Sequence, residues 1–130
     1  VDYEDLTEKI IGAAYPVYNR MGHGFLESVY EKCLLIELES MGLSCQSQVP
    51  IVVRYNGQVV GNFVADIVVN HTVIVELKSV NRLVTSHEVQ LVNYLTATGL
   101  PVGLLLNFGE YGVDVKRKVR VLPPNPQPSS

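Results

Sequence analysis

Asn56-Gly57 stands between two runs of period two, 49–55 and 58–69, and this dipeptide is the strongest short-range hairpin signal a sequence offers. Both residue types accept the positive φ of a tight turn, so the two runs are predicted to fold back on each other antiparallel. A third run, 72–79, follows almost at once. The middle of the chain is therefore a meander of three strands, and the flanking segments have to pack on its faces.

Upstream, Leu6, Ile10, Ala13, Ala14, Val17 and Met21 recur at steps of three and four, which predicts a helix over 3–20. Pro16 removes a backbone donor and crowds the preceding turn, so a bend or break is expected around 13–16. After Gly22-His23-Gly24 a second helix carries Leu26, Val29, Tyr30, Cys33, Leu34, Leu38 and Met41 on one face and stops at Gly42. Downstream, Thr85-Ser86-His87-Glu88 resembles a capping box that opens a third helix ending at Gly99. The nearly continuous apolar run 102–108 reads as a strand buried on both faces, and a turn at 109–112 leads into a last strand, 113–121. The fold class is therefore α/β (α+β), a mixed five-stranded sheet flanked by helices, with one domain over 1–122. Residues 123–130 are rich in proline, have no apolar period and are expected to be extended or disordered.

A chain of 130 residues has room for one core and one site. No apolar run is long enough to cross a membrane, and the first residues lack the basic start and apolar stretch of a secretory signal, which makes a cytoplasmic location the default. Cys33 and Cys45 fall in no metal-ligand spacing and read as reduced thiols. The net charge of −3 argues mildly against a nucleic-acid partner, since phosphate affinity comes from Lys and Arg. Charge is unevenly spread, however, with eight acids against three bases in the first forty residues and Lys116, Arg117, Lys118 and Arg120 grouped near the end.

The chemistry is concentrated in the third strand. Side chains alternate, so Glu76 and Lys78 share one face. If Asn70, His71 and Thr72 all belong to the preceding turn, Asp66 lies directly opposite Glu76; a two-residue turn would instead set Asp66 against Val75 and separate the acids. Two carboxylates meeting among apolar strand residues repel unless a cation sits between them, and Mg²⁺ takes such oxygen ligands. A metal held there acidifies water and neutralises phosphoryl charge, with Lys78 steadying the attacking hydroxide. The competing reading is a surface Asp66 beside a Glu76 to Lys78 ion pair.

Gln90 and Tyr94 lie four apart on one side of the third helix, where they could equally be a polar flank with a tyrosine covering the core. Glu27 opens the second helix and could simply favour its dipole; yet it neighbours the apolar stripe, so partial shielding and a partner are expected. Lys116, Lys118 and Arg120 alternate onto one face of the last strand, either to grip phosphate or to protect a sheet edge, with edge protection slightly ahead.

Taken together, Gly24-Phe25-Leu26-Glu27-Ser28-Val29-Tyr30, Asp66, Glu76-Leu77-Lys78 and Gln90-Leu91-Val92-Asn93-Tyr94 closely resemble the GxxExxY proteins, a branch of the PD-(D/E)XK nuclease superfamily. Ala65 stands where the superfamily's name has proline. The resemblance implies a restriction-endonuclease-like core and a metal, Mg²⁺ with Mn²⁺ able to substitute, held by Asp66, Glu76 and the Leu77 carbonyl. It further implies Lys78 as the catalytic lysine, Glu27 as the acid contributed by a helix, and Gln90 with Tyr94 as the glutamine-tyrosine pair that orients the phosphate backbone.

Two functions from different classes are then expected. One is a Mg²⁺-dependent nuclease of low sequence specificity acting on nucleic acid, DNA foremost; the other is a nuclease-fold module that no longer cuts and binds nucleic acid or a protein partner. A homodimer suits so small a nuclease, and the sequence does not decide it.

Overall fold

The computed structural model describes residues 3–120, so the proline-rich segment lies outside the described residues. Its elements run α1 (Glu4–Met21), α2 (Glu27–Ser40), β1 (Cys45–Tyr55), β2 (Gln58–Val69), β3 (Val73–Lys78), α3 (Thr85–Thr98), β4 (Val102–Gly109) and β5 (Gly112–Val119). The strands form one sheet in the order β1-β2-β3-β4-β5. Neighbours are antiparallel except β3 and β4, which run parallel on either side of the α3 crossover.

Alternation along the strands sorts the core into two layers. Ile67, Val69, Val73, Val75 and Leu77 turn toward α1 and α2, packing with Ile10, Val17, Tyr30 and Leu34. Val68, Ile74 and Leu105 turn toward α3 and meet Leu91, Tyr94 and Leu95. β4 is buried along its whole length, as a strand covered on both faces must be. Gly103 lets α3 settle closely on it, because a Cβ there would stand 2.6 Å from Leu91 Cδ1.

Three local expectations are corrected. α1 runs unbroken through Pro16, which is exposed, as is Gly12 four residues earlier, so the carbonyl deprived of a donor turns to solvent. β1 begins at Cys45, earlier than its apolar pattern, because Cys45, Gln46 and Ser47 pair with Val69, Val68 and Ile67. Val84, one residue before the expected cap, is the N-cap of α3; its N–H donates to His87 Nδ1 at 3.2 Å. The Asn56-Gly57 turn is as expected, with φ of 50° and 76°.

Candidate active site

The turn between β2 and β3 is the longer of the two alternatives. Val69 pairs with Val73, Val68 with Ile74 and Ile67 with Val75, which leaves Asn70, His71 and Thr72 outside the ladder. Asn70 and His71 are left-handed, at φ of 51° and 52°, and the Thr72 N–H donates to the Val69 carbonyl at 2.9 Å. Carried one step further, this register sets Asp66 opposite Glu76.

At that step side chains replace the backbone ladder. The Leu77 N–H donates to Asp66 Oδ2 at 2.8 Å, and the Asp66 N–H donates to Glu76 Oε1 at 3.3 Å. Each carboxylate thus binds the main chain of the opposite strand, which fixes both acids where the strands part. Glu76 is only 6% exposed. Burial, then the nearby Asp66 charge, then a hydrogen bond between the two carboxyl groups push its pKa up to about 9. Near neutral pH the pair therefore retains a proton where an ion would otherwise be needed. Hard carboxylate oxygens that resist joint ionisation fit a divalent cation, whose binding would displace that proton.

Lys78 follows on the same face of β3; it is half-buried and has no ion-pair or hydrogen-bond partner among the described residues. The helix acid is placed differently from expectation. Glu27 is exposed, not shielded, and lines a shallow cleft with Gly24, Leu26 and Ser79. Among the described residues no group of three or more His, Cys, Asp or Glu side chains is arranged to hold a metal. One turn further along α2, Glu31 accepts from Gln48 Nε2 at 2.8 Å and 3.1 Å and feels the Asp66 charge. Burial first, with Asp66 adding to it, raises its pKa.

Gln90 and Tyr94 both line a groove between α3 and the β1–β2 hairpin. Tyr94 is a core residue and more: its ring lies 5.7 Å from that of Phe63, while burial and the charges of Glu76 and Asp66 raise its phenol pKa. On β5, an edge strand, Lys118 pairs with Glu88 of α3 at 2.7 Å and Lys116 alternates with it, while Arg120 lies one residue past the strand's end.

The family model of the PD-(D/E)XK nuclease superfamily matches residues 4–120. The chain belongs to that superfamily. The solved structure of SSO0001 is similar in fold to this superfamily member, with a TM-score of 0.61 and 17% identity over 93% of this chain. This chain spans 61% of that one. No curated protein sequence matches. The sheet and its flanking helices are thus the restriction-endonuclease-like core of the PD-(D/E)XK superfamily, and no described helix is long and apolar enough to cross a membrane.

Three sets of positioning contacts in this PD-(D/E)XK core were not legible in the sequence, although Tyr30 itself belongs to the motif named there. Asn107, fully buried on β4, accepts from the Val80 N–H at 2.9 Å and donates to the Val80 carbonyl at 2.8 Å, which pins the chain two residues past Lys78. Tyr30 stacks on Phe108 at 4.4 Å; its hydroxyl donates to the Gly22 carbonyl at 2.6 Å and accepts from the Phe25 N–H at 3.3 Å. Glu31 and its partner Gln48 are the third. For Glu31 the signal available was its spacing of four from Glu27 on the same helix face.

Proposed function

We propose that this PD-(D/E)XK protein is a nuclease dependent on a divalent metal, Mg²⁺ or in its place Mn²⁺, that hydrolyses phosphodiester bonds with low sequence specificity. The observation carrying this reading is the Asp66 and Glu76 pair, held across β2 and β3 by reciprocal bonds to backbone N–H groups, with an unpaired Lys78 on the same face. Asp66, Glu76 and the Leu77 carbonyl would hold the ion. Once bound, it supplies acidity to a water and neutralises charge on a phosphoryl oxygen. The Lys78 ammonium orients the attacking water and favours its deprotonated form. Gln90 and Tyr94 would meet the substrate strand on the α3 side, and Lys116, Lys118 and Arg120 would extend a basic strip along and just past β5. On α2, Glu31 is closer to this role than Glu27, because its charge is coupled to Asp66.

The test is cleavage of single- and double-stranded DNA and RNA with Mg²⁺ or Mn²⁺, set against Asp66→Ala and Lys78→Ala. Both variants are expected to lose activity, and activity unchanged in either would assign the cutting to a contaminant. A second reading, a module that binds without cutting, draws on the net charge of −3. Calorimetric titration with Mn²⁺ separates the two, since a chain that binds no Mn²⁺ leaves only the binding module.

A further inference from the structure

The groove beside the acid pair has a volume of about 790 Å³ and lies between α3 and the β1–β2 hairpin. Val53, Phe63, Val89 and Tyr94 supply its apolar surface, and the amides of Gln90 and Asn93 stand among them. Phe63 and Val89 are 43% and 51% exposed, a large apolar outlay for a surface otherwise facing water. Gly61 makes room for the aromatic ring, since a Cβ there would stand 2.9 Å from Phe63 Cε2. No Lys, Arg, Asp or Glu lines the groove.

Such a lining does not suit phosphates, which call for cations. It suits flat, uncharged rings: the exposed Phe63 ring for stacking, aliphatic walls, and amides that both donate and accept at a ring edge. The groove also lies near the candidate site, because Tyr94 borders it and feels the charges of Glu76 and Asp66. A strand with a phosphate at the acid pair would have its neighbouring base beside this groove. In a duplex that base is stacked and paired inside the helix, so its faces are covered and only its groove edges, sugar and phosphate can meet a protein.

We infer that the groove takes unpaired nucleobases of the strand being cut, so that the substrate class is single-stranded nucleic acid. This rests on the nuclease reading for the position of the phosphate.

The test is fluorescence anisotropy with the full chain, with and without Ca²⁺, on a labelled 15-nucleotide oligothymidine, an abasic strand of equal length, a 15-base-pair duplex and an oligouridine. Base-bearing single strands of at least one sugar type should bind at least about tenfold more tightly than the abasic strand and the duplex. Phe63→Ala and Val89→Glu, both at exposed positions, should bring them down to the abasic level. The inference is overturned if bases confer no preference, if the duplex binds as well, if nothing binds, or if both variants keep the preference. It is also overturned if sedimentation shows a stable dimer that Phe63→Ala dissolves, since the groove is then a subunit contact. A base preference in a chain that neither binds Mn²⁺ nor cuts condemns the nuclease reading alone; metal-dependent cutting without base preference condemns the groove alone.

Discussion

The two ends of the β2–β3 hairpin are built from the same pair of strands and obey opposite rules. Toward the turn, Ile67, Val68 and Val69 face Val75, Ile74 and Val73, all buried, and the backbone ladder is complete. One step beyond Ile67, the ladder is replaced by bonds from Leu77 and Asp66 N–H groups to carboxylates. The turn end gains stability from every residue. The acid end spends some of that gain to keep Glu76 buried next to Asp66. A short, well-paired hairpin thus acts as the anvil on which two repelling groups are held together.

The contrast is broken most directly at the acid end. Asp66→Asn keeps an oxygen for the Leu77 N–H but loses the charge; cleavage should fall by about 10²-fold or more while the melting temperature stays or rises. A variant that cuts normally would remove the functional half of the comparison. At the turn end, Ile74→Ala should destabilise by about 2–5 kcal/mol in denaturant titration, with activity per folded molecule kept. A loss of activity beyond the unfolded fraction would mean that the two ends are not separable.

The pH dependence sharpens the comparison. Because the folded chain without metal keeps the Glu76 proton up to about 9 while the unfolded chain releases it in the ordinary carboxylate range, the native state binds more protons in between. Its contribution to stability is full below that range and is lost as pH climbs toward about 9. Glu76→Gln should flatten this decline in melting temperature, and a wild-type curve already flat would refute the buried proton. Mn²⁺ affinity should rise over the same window, since binding expels the proton. The smallest effect is expected at the exposed His71, whose left-handed φ of 52° suits glycine. His71→Gly should add about 0.5–1 kcal/mol in denaturant titration and leave cleavage unchanged.

What could be read from the chain was local. Asn56-Gly57 fixed one hairpin, Gly42 and Gly99 closed two helices, and alternation put Glu76 and Lys78 together, because each depends on neighbours in sequence. The turn at Asn70 was legible only as two alternatives, since both Asn70 and His71 had to adopt an uncommon left-handed backbone for the acids to meet. What stayed hidden depends on docking. Glu27 and Glu31 share a face of α2, and which one approaches Asp66 is set by how that helix lies on the sheet. Asn107 sits in an apolar strand with nothing nearby to mark it; its partner Val80 is 27 positions away in sequence. Pro16 misled because exposure, which decides what a missing hydrogen bond costs, is a property of the folded molecule.

The grip of Tyr30 on its loop has a consequence for how this chain can vary. Its hydroxyl holds only main-chain atoms, those of Gly22 and Phe25, while its ring rests on Phe108. The exposed His23 side chain takes no part in that latch, whereas the Phe25 ring meets the Tyr30 ring edge-on at 6.2 Å. The junction can therefore drift in composition at His23 without shifting α2 against the sheet, and the outer lip of the acid end is left open to change there while its seat stays still.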